Sequence, residues 1–262
     1  MKNNPDKKED SDILPDDLLK DIAQLKGGTA SPKPVPVPAS ILYPVTAAVA
    51  AEKRRKVQEM IATINGSGDS SALIGQEIPG HGVFIGTWQP EGLSQQFNIF
   101  AAPEDLTDTA DKKEVYKYVD AVTRIAELKN WHGYNGTNYA NKNEIHQALK
   151  DGSYIKNGSG WFIPPSELLR GTDANRLDGI RPGKMVQRDN LYTHKDKGAL
   201  CGTFSTVGSD SYAGDWYWSS TEDHFNPSLL ICTIGFSNGN EAWAGRDGDK
   251  RSCRPVRLEL KP

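Results

Sequence analysis

The stretch Thr233-Ile-Gly-Phe-Ser-Asn-Gly-Asn-Glu-Ala-Trp243 decides how the carboxy-terminal part of the chain folds. Two apolar runs flank Asn238-Gly239, and both central residue types tolerate positive φ, which the tight turns of β-hairpins require. The pattern therefore predicts a hairpin centred on Asn238-Gly239. We expect residues 229–258 to lie in a small antiparallel sheet, with alternate side chains such as Leu230 and Cys232 on one face.

Short strands and a helix are predicted upstream of this hairpin. Residues 82–88 and 97–100 are rich in apolar and aromatic side chains, as a pair of short strands is. Residues 114–128 have apolar side chains at helical spacing, and Asp111 precedes Glu114 by three positions, which is capping-box spacing. The side chains expected to face inward from this helix are Val115, Tyr118, Val119, Val122 and Ile125.

Further helices and a long loop region follow. A helix is expected over residues 143–150, because Asn141 can act as its N-cap and Gly152 lies just beyond its end. A very short helix is expected over residues 164–169, which begin with two prolines. Residues 170–214 have no strong periodicity and many Gly, Asp, Asn and Lys residues, so we expect loops there.

The amino-terminal part of the chain has a different residue pattern, with helical periodicity and a proline-rich run. Apolar side chains repeat at helical spacing over residues 18–25, and alternating prolines over residues 31–39 favour an extended spacer. Another helix is expected over residues 45–64, with a solvated charge run at 52–56. The chain is therefore divided into a tail, short helix and Pro-rich linker (1–40), a helical segment (41–74) and one main domain (75–262).

Four blocks, in this order along the chain, carry a family resemblance. They are Trp161-Phe-Ile-Pro-Pro-Ser-Glu-Leu-Leu169, Trp216-Tyr-Trp-Ser-Ser-Thr-Glu222, Ile234-Gly-Phe-Ser-Asn-Gly-Asn240 and Arg254-Pro-Val-Arg257. They resemble the C-type-lectin-like domain of variable proteins that diversity-generating retroelements rewrite, and more distantly the formylglycine-generating enzymes. The likeness covers roughly residues 75–260. It implies an α+β fold with a small antiparallel sheet, two or more helices and long loops.

The resemblance implies a ligand-binding protein of the receptor-binding or adhesin type, with no catalytic residues. In that family, template adenines are overwritten at positions between fixed blocks. An overwritten asparagine codon cannot yield Trp, Lys, Glu, Gln or Met, which makes Glu222, Glu241 and Lys250 less natural variable positions. The predicted variable, ligand-binding residues are Phe225, Leu229, Leu230, Cys232, Gly235, Trp243, Gly245, Arg246, Asp247, Gly248, Asp249 and Ser252.

Several of these residues have a second interpretation that the sequence leaves open. Apolar side chains near a loop rim are typical of a binding patch, yet one or two of residues 229–231 also fit a core strand. Trp243 fails the codon filter and is included as a possible rigid aromatic anchor. Trp161, Trp216 and Trp218 are expected to be core rings, with their indole N–H groups bonded to backbone. Arg254 and Arg257 are expected to form structural ion pairs.

Composition constrains the partners. Charges nearly cancel, with 31 basic and 34 acidic side chains, so no overall field draws the chain to nucleic acid or to an anionic membrane. No apolar run has the length of a membrane span, and no signal peptide is visible. We expect the partner to be a protein or other surface ligand on a target cell, with carrier binding or self-association through the amino-terminal helices. The location stays open between virion, cell surface and cytoplasm.

Enzymatic alternatives have weaker support in the sequence. The five histidines have no metal-ligand spacing, and the three cysteines, Cys201, Cys232 and Cys253, have no CxxC spacing, so no metal and no cofactor is predicted. The cysteines are expected to be reduced thiols. Calcium-dependent sugar-binding motifs of lectins are absent from the sequence. Two alternatives remain, a formylglycine-generating-enzyme-like oxidase and a non-diversified structural or adhesin appendage of a virion or cell surface.

Overall fold

The chain has an α+β architecture of several helices and three small antiparallel sheets. The computed structural model describes residues 39–66, 68–107, 115–174, 184–204 and 215–262. The helix predicted over residues 18–25 and nearly all of the Pro-rich linker lie outside the described residues. Residues Ala51 to Pro262 form one compact unit, and the packing described below lies within it.

The first sheet has four strands in the order β1-β2-β3-β9. They are β1 (Glu77–Ile78), β2 (Gly82–Trp88), β3 (Phe97–Ala101) and β9 (Val256–Leu260). The strands predicted over residues 82–88 and 97–100 are therefore confirmed. The prediction that residues 229–258 share one sheet is wrong for residues 256–258, because β9 pairs with β3 instead, from Phe97 opposite Leu260 to Ala101 opposite Val256.

The second sheet contains the predicted hairpin. Its strands, in the order β6-β7-β8, are β6 (Trp216–Glu222), β7 (Leu230–Gly235) and β8 (Glu241–Gly245). The turn between β7 and β8 is longer than a two-residue turn, since the Gly235 N–H donates to the Asn240 carbonyl at 2.9 Å. Gly239 has φ +71°, whereas Asn238 does not use positive φ. Instead, Asn238 Oδ1 accepts the Asn240 N–H at 2.9 Å.

Helices and one short ribbon complete the described part of the chain. The helices are α1 (Ala39–Asn65), α2 (Tyr118–Glu127), α3 (Lys142–Lys150), α4 (Ser153–Lys156), α5 (Ser166–Leu169) and α6 (Leu191–His194). The third sheet pairs β4 (Thr172–Asp173) with β5 (Lys184–Met185), and single 3-10 turns occur at Ser71–Leu73 and Gly198–Leu200. The described residues of this region, 170–174 and 184–204, thus contain short elements rather than being loop throughout.

Helix α3 forms for the local reason predicted. Asn141 Oδ1 accepts the Glu144 N–H at 3.1 Å, which satisfies one of the free donors of the first turn. Glu144 in turn accepts the Ala140 N–H at 2.7 Å. The helix begins at Lys142, one residue before its predicted start. The short helix predicted over residues 164–169 is also confirmed, as α5.

Helix α2 begins four residues later than predicted. Tyr116 forms an isolated bridge with Arg251, and the Tyr118 N–H donates to the Arg246 carbonyl at 3.0 Å. These long-range bonds hold the chain in an extended form up to residue 117. The proposed capping pair Asp111 and Glu114 therefore does not start this helix, and it lies outside the described residues.

The inward face of α2 is only partly as predicted. Tyr118 and Ile125 are buried, and Val122 packs on the same cluster at partial exposure. Val119 is exposed, because it follows Tyr118 by one residue and so points about 100° away from the buried stripe. Val115, which precedes the helix, is half-buried.

The amino-terminal helix α1 extends the helix predicted over residues 45–64. Ile64 is fully buried in a small cluster with Phe84 and Phe100 of the first sheet, and Met60 packs on the edge of that cluster. Residues 47–56 are exposed. Arg55 pairs with Glu52 at 2.7 Å on this solvated surface, which agrees with the interpretation of the 52–56 charge run.

The β6-β7-β8 sheet lies between two core clusters. Cys232 and Ile234 of β7 pack into the cluster that contains β2, β3 and α3. Ile231, which points to the opposite face, packs with Trp218 and with residues of α2. Strands β6 and β7 are therefore buried over most of their length, whereas edge strand β8 is mostly half-buried. Both ends of the sheet carry exposed residues, in the β6–β7 loop at one end and in the β7–β8 turn at the other.

Two of the three predicted core tryptophans have the expected environment. Trp161 and Trp218 are fully buried, and their indole Nε1–H groups donate to the carbonyls of Trp131 and Tyr116 at 2.8 and 2.7 Å. Trp216 differs because it is only half-buried, at the first position of β6. The other two tryptophans bond to backbone that lies about 30 and 102 residues away.

The two predicted structural arginines are buried and paired. Arg254 Nε donates to Asp105 Oδ1 at 2.6 Å, and Arg257 Nη2 donates to Glu259 Oε1 at 2.7 Å. Because a buried charge is stable only when it is paired and hydrogen-bonded, these contacts explain why both residues can lie in the core. The prediction of structural ion pairs is confirmed.

Candidate functional site

One end of the β6-β7-β8 sheet gathers most of the predicted site residues. In this antiparallel sheet, β6 ends, β7 begins and β8 ends at the same edge, since Glu222 is opposite Ile231 and Leu230 is opposite Gly245. The β6–β7 loop (residues 223–229) and the β8 turn (residues 246–249) therefore project from the same place. We refer to these two segments together as the sheet end.

The β6–β7 loop is held by a single buried carboxylate. Asp223 Oδ1 accepts the backbone N–H groups of Phe225 and Asn226 at 2.9 and 2.7 Å. The Asn226 carbonyl then accepts the N–H groups of Leu229 and Leu230, both at 3.0 Å. The backbone of the loop is thus fixed from within, while its side chains are free to point outward.

The β8 turn is closed in a similar way and is tied to the loop. Asp249 Oδ2 accepts the Gly245 N–H at 2.6 Å, and the Gly245 carbonyl accepts the Asp249 N–H at 3.0 Å. The Arg246 N–H donates to the Leu229 carbonyl at 3.0 Å. Loop and turn are therefore two parts of one ordered surface.

The Arg246 side chain serves this scaffold. Its guanidinium lies 3.6 Å from Glu222, donates to the Pro227 carbonyl at 3.4 Å and stands over the Tyr118 ring at 5.5 Å. It is four-fifths buried. Arg246, predicted as a variable ligand-contacting residue, thus makes its contacts mainly with the protein itself.

Exposure divides the predicted site residues into three groups. Phe225 and Leu229 are 86% and 61% exposed, which is unusual for large apolar side chains, and Asp247 and Gly248 are exposed beside them. Leu230, Gly245 and Asp249 are half-buried at the base of the same surface. The third group, Cys232, Gly235 and Ser252, is buried.

The buried group does not belong to an accessible surface. Cys232 does share a strand face with Leu230, as predicted, but that face enters the main core two residues further on. Gly235 lies at the far end of β7, where an added Cβ would approach the Asn238 side chain to 3.0 Å. Ser252 is bonded through its backbone to both Trp216 and Trp218. Accessibility therefore limits the candidate surface to the first two groups and Trp243.

Trp243 lies beside the sheet end without being part of it. It is opposite Cys232 in the hairpin and packs at partial exposure on the main core cluster. Its ring therefore has one supported side and one side that reaches solvent. This position is compatible with both the core interpretation and the anchor interpretation made from the sequence.

The thiols and the acidic side chains offer little reactive chemistry at this surface. All three cysteines are free, Cys201 being exposed and the others buried. Burial raises the pKa of the Cys232 and Cys253 thiols well above their ordinary value, so both remain protonated at neutral pH. Among the described residues, no group of three or more His, Cys, Asp or Glu side chains could hold a metal ion.

Asp223 and the Glu222–Arg246 pair are the structural residues that the sequence analysis missed. A signal for Asp223 was present, since Asn226-Pro227 marks a turn three residues later and an Asp side chain in a turn commonly bonds to backbone two or three residues on. No local signal marks the Glu222–Arg246 pair, because these residues are brought together only by the β6-β7-β8 pairing.

No family model matches the chain, and no curated protein matches it either. In the part of the chain that the structure describes, no helix combines the length and the apolar character that crossing a membrane requires. The resemblance of the four sequence blocks to retroelement-diversified proteins therefore enters the functional argument as a hypothesis only.

Proposed function

We propose that this chain is a ligand-binding protein of the receptor-binding or adhesin type, and that the sheet end is its recognition surface. In this proposal the domain is a C-type-lectin-like variable domain, rewritten by a diversity-generating retroelement. The observation that carries the proposal is the pair of exposed apolar side chains, Phe225 and Leu229, on a loop whose backbone Asp223 holds in place. Exposed apolar groups on an ordered loop are typical of binding sites.

The separation between scaffold and surface supports a diversified site. The loop is ordered by Asp223 and by backbone bonds, so Phe225, Leu229 and Asp247 can be replaced without removing the contacts that order it. A retroelement requires positions that tolerate most of the residues that an overwritten codon can yield. Surface side chains with no role in the core satisfy that requirement.

The burial of the resemblance blocks agrees with the same proposal. Trp161 and Trp218, which come from two of the four blocks, are fully buried, as are Arg254 and Arg257 from the last. Fixed blocks of a diversified protein are expected to build the scaffold. The segment before residue 75 would then connect the recognition domain to a carrier or to another copy of the chain.

The oxidase alternative has no comparable support. It would need two cysteines close together, whereas Cys232 and Cys253 lie in different core clusters and Cys201 is exposed on a 3-10 turn. The buried thiols are also poor nucleophiles, because the thiolate is the reactive form. We therefore prefer binding to catalysis.

Sequencing of the gene tests the proposal directly. The carboxy-terminal coding region would be read from many independent isolates, together with the flanking DNA. We expect substitutions to concentrate in the codons of Phe225, Leu229 and Asp247, and to spare those of Trp218 and Asp223. A nearby near-repeat of this region should differ from it mainly at adenines. Invariant codons at the sheet end, with no near-repeat present, would contradict the proposal.

A further inference from the structure

We propose that Phe225 and Leu229 form a convex knob that inserts into an apolar pocket of a folded protein partner, with Asp247 meeting a cationic group at the pocket's rim. This inference rests on the proposed function. It narrows the ligand from any surface component to a folded protein with a concave apolar surface.

The exposure of Phe225 determines which partner can bind it. Small-molecule sites are concave and enclose most of the ligand's surface. A ring that is 86% exposed on a loop cannot enclose anything, and it contacts the His224 ring at a centroid distance of 5.2 Å. Such a ring is removed from water completely when the partner surrounds it with a cavity, whereas stacking covers only one face. A folded protein can do so, whereas a sugar or a small metabolite cannot.

Leu229 is the second exposed apolar side chain of the β6–β7 loop. It lies in the same loop and is 61% exposed, and its carbonyl is fixed by the Arg246 N–H. A fixed backbone limits the ordering entropy lost on binding, so the knob can enter a pocket without a large rearrangement. Aromatic anchors that fill pockets are the contacts that dominate protein interfaces.

Charge indicates what surrounds the pocket. At the sheet end, Glu222 lies 3.6 Å from Arg246, and Asp249 lies 3.7 Å from Arg251. Asp247 is exposed, and none of the ion pairs found among the described residues includes it. A carboxylate that no described cation pairs with, at the same sheet end as the knob, favours a partner with Lys or Arg at the edge of its pocket.

A library of folded proteins with concave binding faces provides a suitable probe. Repeat proteins with a randomised concave surface would be displayed and selected on the full chain. Binding of each selected clone would be compared across wild type, Phe225→Ala, Leu229→Ala and Asp247→Asn. Leu260→Ala is the matched control, because this leucine is also exposed, at 46%, but belongs to β9 of the other sheet. Melting temperatures of the variants confirm that each one folds.

We expect most clones to lose affinity by roughly 10- to 100-fold with Phe225→Ala, and to be unaffected by Leu260→Ala. Asp247→Asn should weaken binding less, and its effect should fade at high salt. Clones whose affinity is unchanged by Phe225→Ala would overturn the inference. So would binding of methyl glycosides or indole that depends on Phe225. A wild-type oligomer that Phe225→Ala dissociates would also overturn it, since the occupant would then be a second copy.

The outcome separates this inference from the proposed function. If the codons vary among isolates but clone affinity is unchanged by Phe225→Ala, the diversified receptor is supported and only the knob is rejected. If the codons are invariant but clone affinity depends on Phe225, diversification is rejected and the docking surface is supported.

Discussion

The Arg246 backbone N–H donates to the Leu229 carbonyl at 3.0 Å, and this bond joins the β8 turn to the β6–β7 loop. The two residues are 17 positions apart in sequence, yet the pairing of Leu230 with Gly245 places them side by side. The bond continues the hairpin ladder beyond the last paired strand residues. Side chains from two separate segments thereby become parts of one surface.

Asp223→Ala should loosen this surface while leaving the domain folded. The substitution removes the acceptor of the Phe225 and Asn226 N–H groups, and we expect a loss of about 1–3 kcal/mol in the free energy of unfolding. Hydrogen exchange at these two amides should accelerate more than exchange in β7. Asp247→Ala, an exposed carboxylate in the β8 turn, is the control and should change neither. Unaltered exchange in Asp223→Ala would show that the carboxylate does not order the loop.

Trp218→Ala and Phe225→Ala should separate scaffold from surface. Trp218 is fully buried and its indole bonds to the Tyr116 carbonyl, so its truncation should destabilise the domain by about 3–5 kcal/mol. Phe225→Ala should change stability by less than about 0.5 kcal/mol, since the ring is exposed. Denaturant titration of both variants provides the comparison. Equal losses would contradict this division between scaffold and surface.

Local signals in the sequence were sufficient where neighbouring residues determine the structure. The Asn141 side chain caps α3 through a bond to a residue three positions away, so its role could be predicted from spacing alone. The hairpin of β7 and β8 was predictable for the same reason. The mixture of helices and strands was also indicated by such local patterns, whereas strands β1, β4 and β5 were not predicted.

The parts that escaped prediction depend on contacts distant in sequence. Helix α2 starts at Tyr118 because Tyr116 and Tyr118 are bonded to Arg251 and Arg246, more than a hundred residues later. The burial of Cys232 depends on which elements cover that face of the sheet, which strand periodicity cannot reveal. Phe225 and Leu229 were proposed from the resemblance and as apolar side chains near a loop rim, whereas the bonds that fix their loop required the structure.

The cysteines should differ sharply in reactivity towards a disulfide reagent at neutral pH. Cys201 is exposed, whereas Cys232 and Cys253 are buried and their pKa values are raised by that burial. We expect one thiol to react in the folded chain and all three to react in denaturant. Cys201→Ser should abolish the reaction of the folded protein. Rapid reaction of a second thiol would show that one core cluster opens readily.

The carboxylate of Glu259, in strand β9 of the first sheet, provides a test of how stability depends on pH. Glu259 Oε1 lies 2.6 Å from His81 Nδ1, accepts from Arg257 at 2.7 Å and lies 3.4 Å from the Tyr134 hydroxyl. Burial by itself would raise the pKa of Glu259. The hydrogen bonds from His81 and Arg257, together with their charges, outweigh burial and hold the pKa below its ordinary value of 4.5.

A carboxyl whose pKa is lowered by folding stabilises the folded state above its unfolded pKa, and this contribution is lost as the pH falls through its folded pKa. Wild type should therefore be more stable than Glu259→Gln at neutral pH, and the difference should shrink as the pH drops below about 4.5. The free energy of unfolding of both proteins would be measured from neutral pH downward at constant ionic strength. Other carboxyls titrate in both proteins and largely cancel in the difference. Exposed Asp247→Asn serves as the control and should show no such pH-dependent difference from wild type. If the stability difference between wild type and Glu259→Gln stays constant or grows as the pH falls, Glu259 is not the stabilised anion at this site.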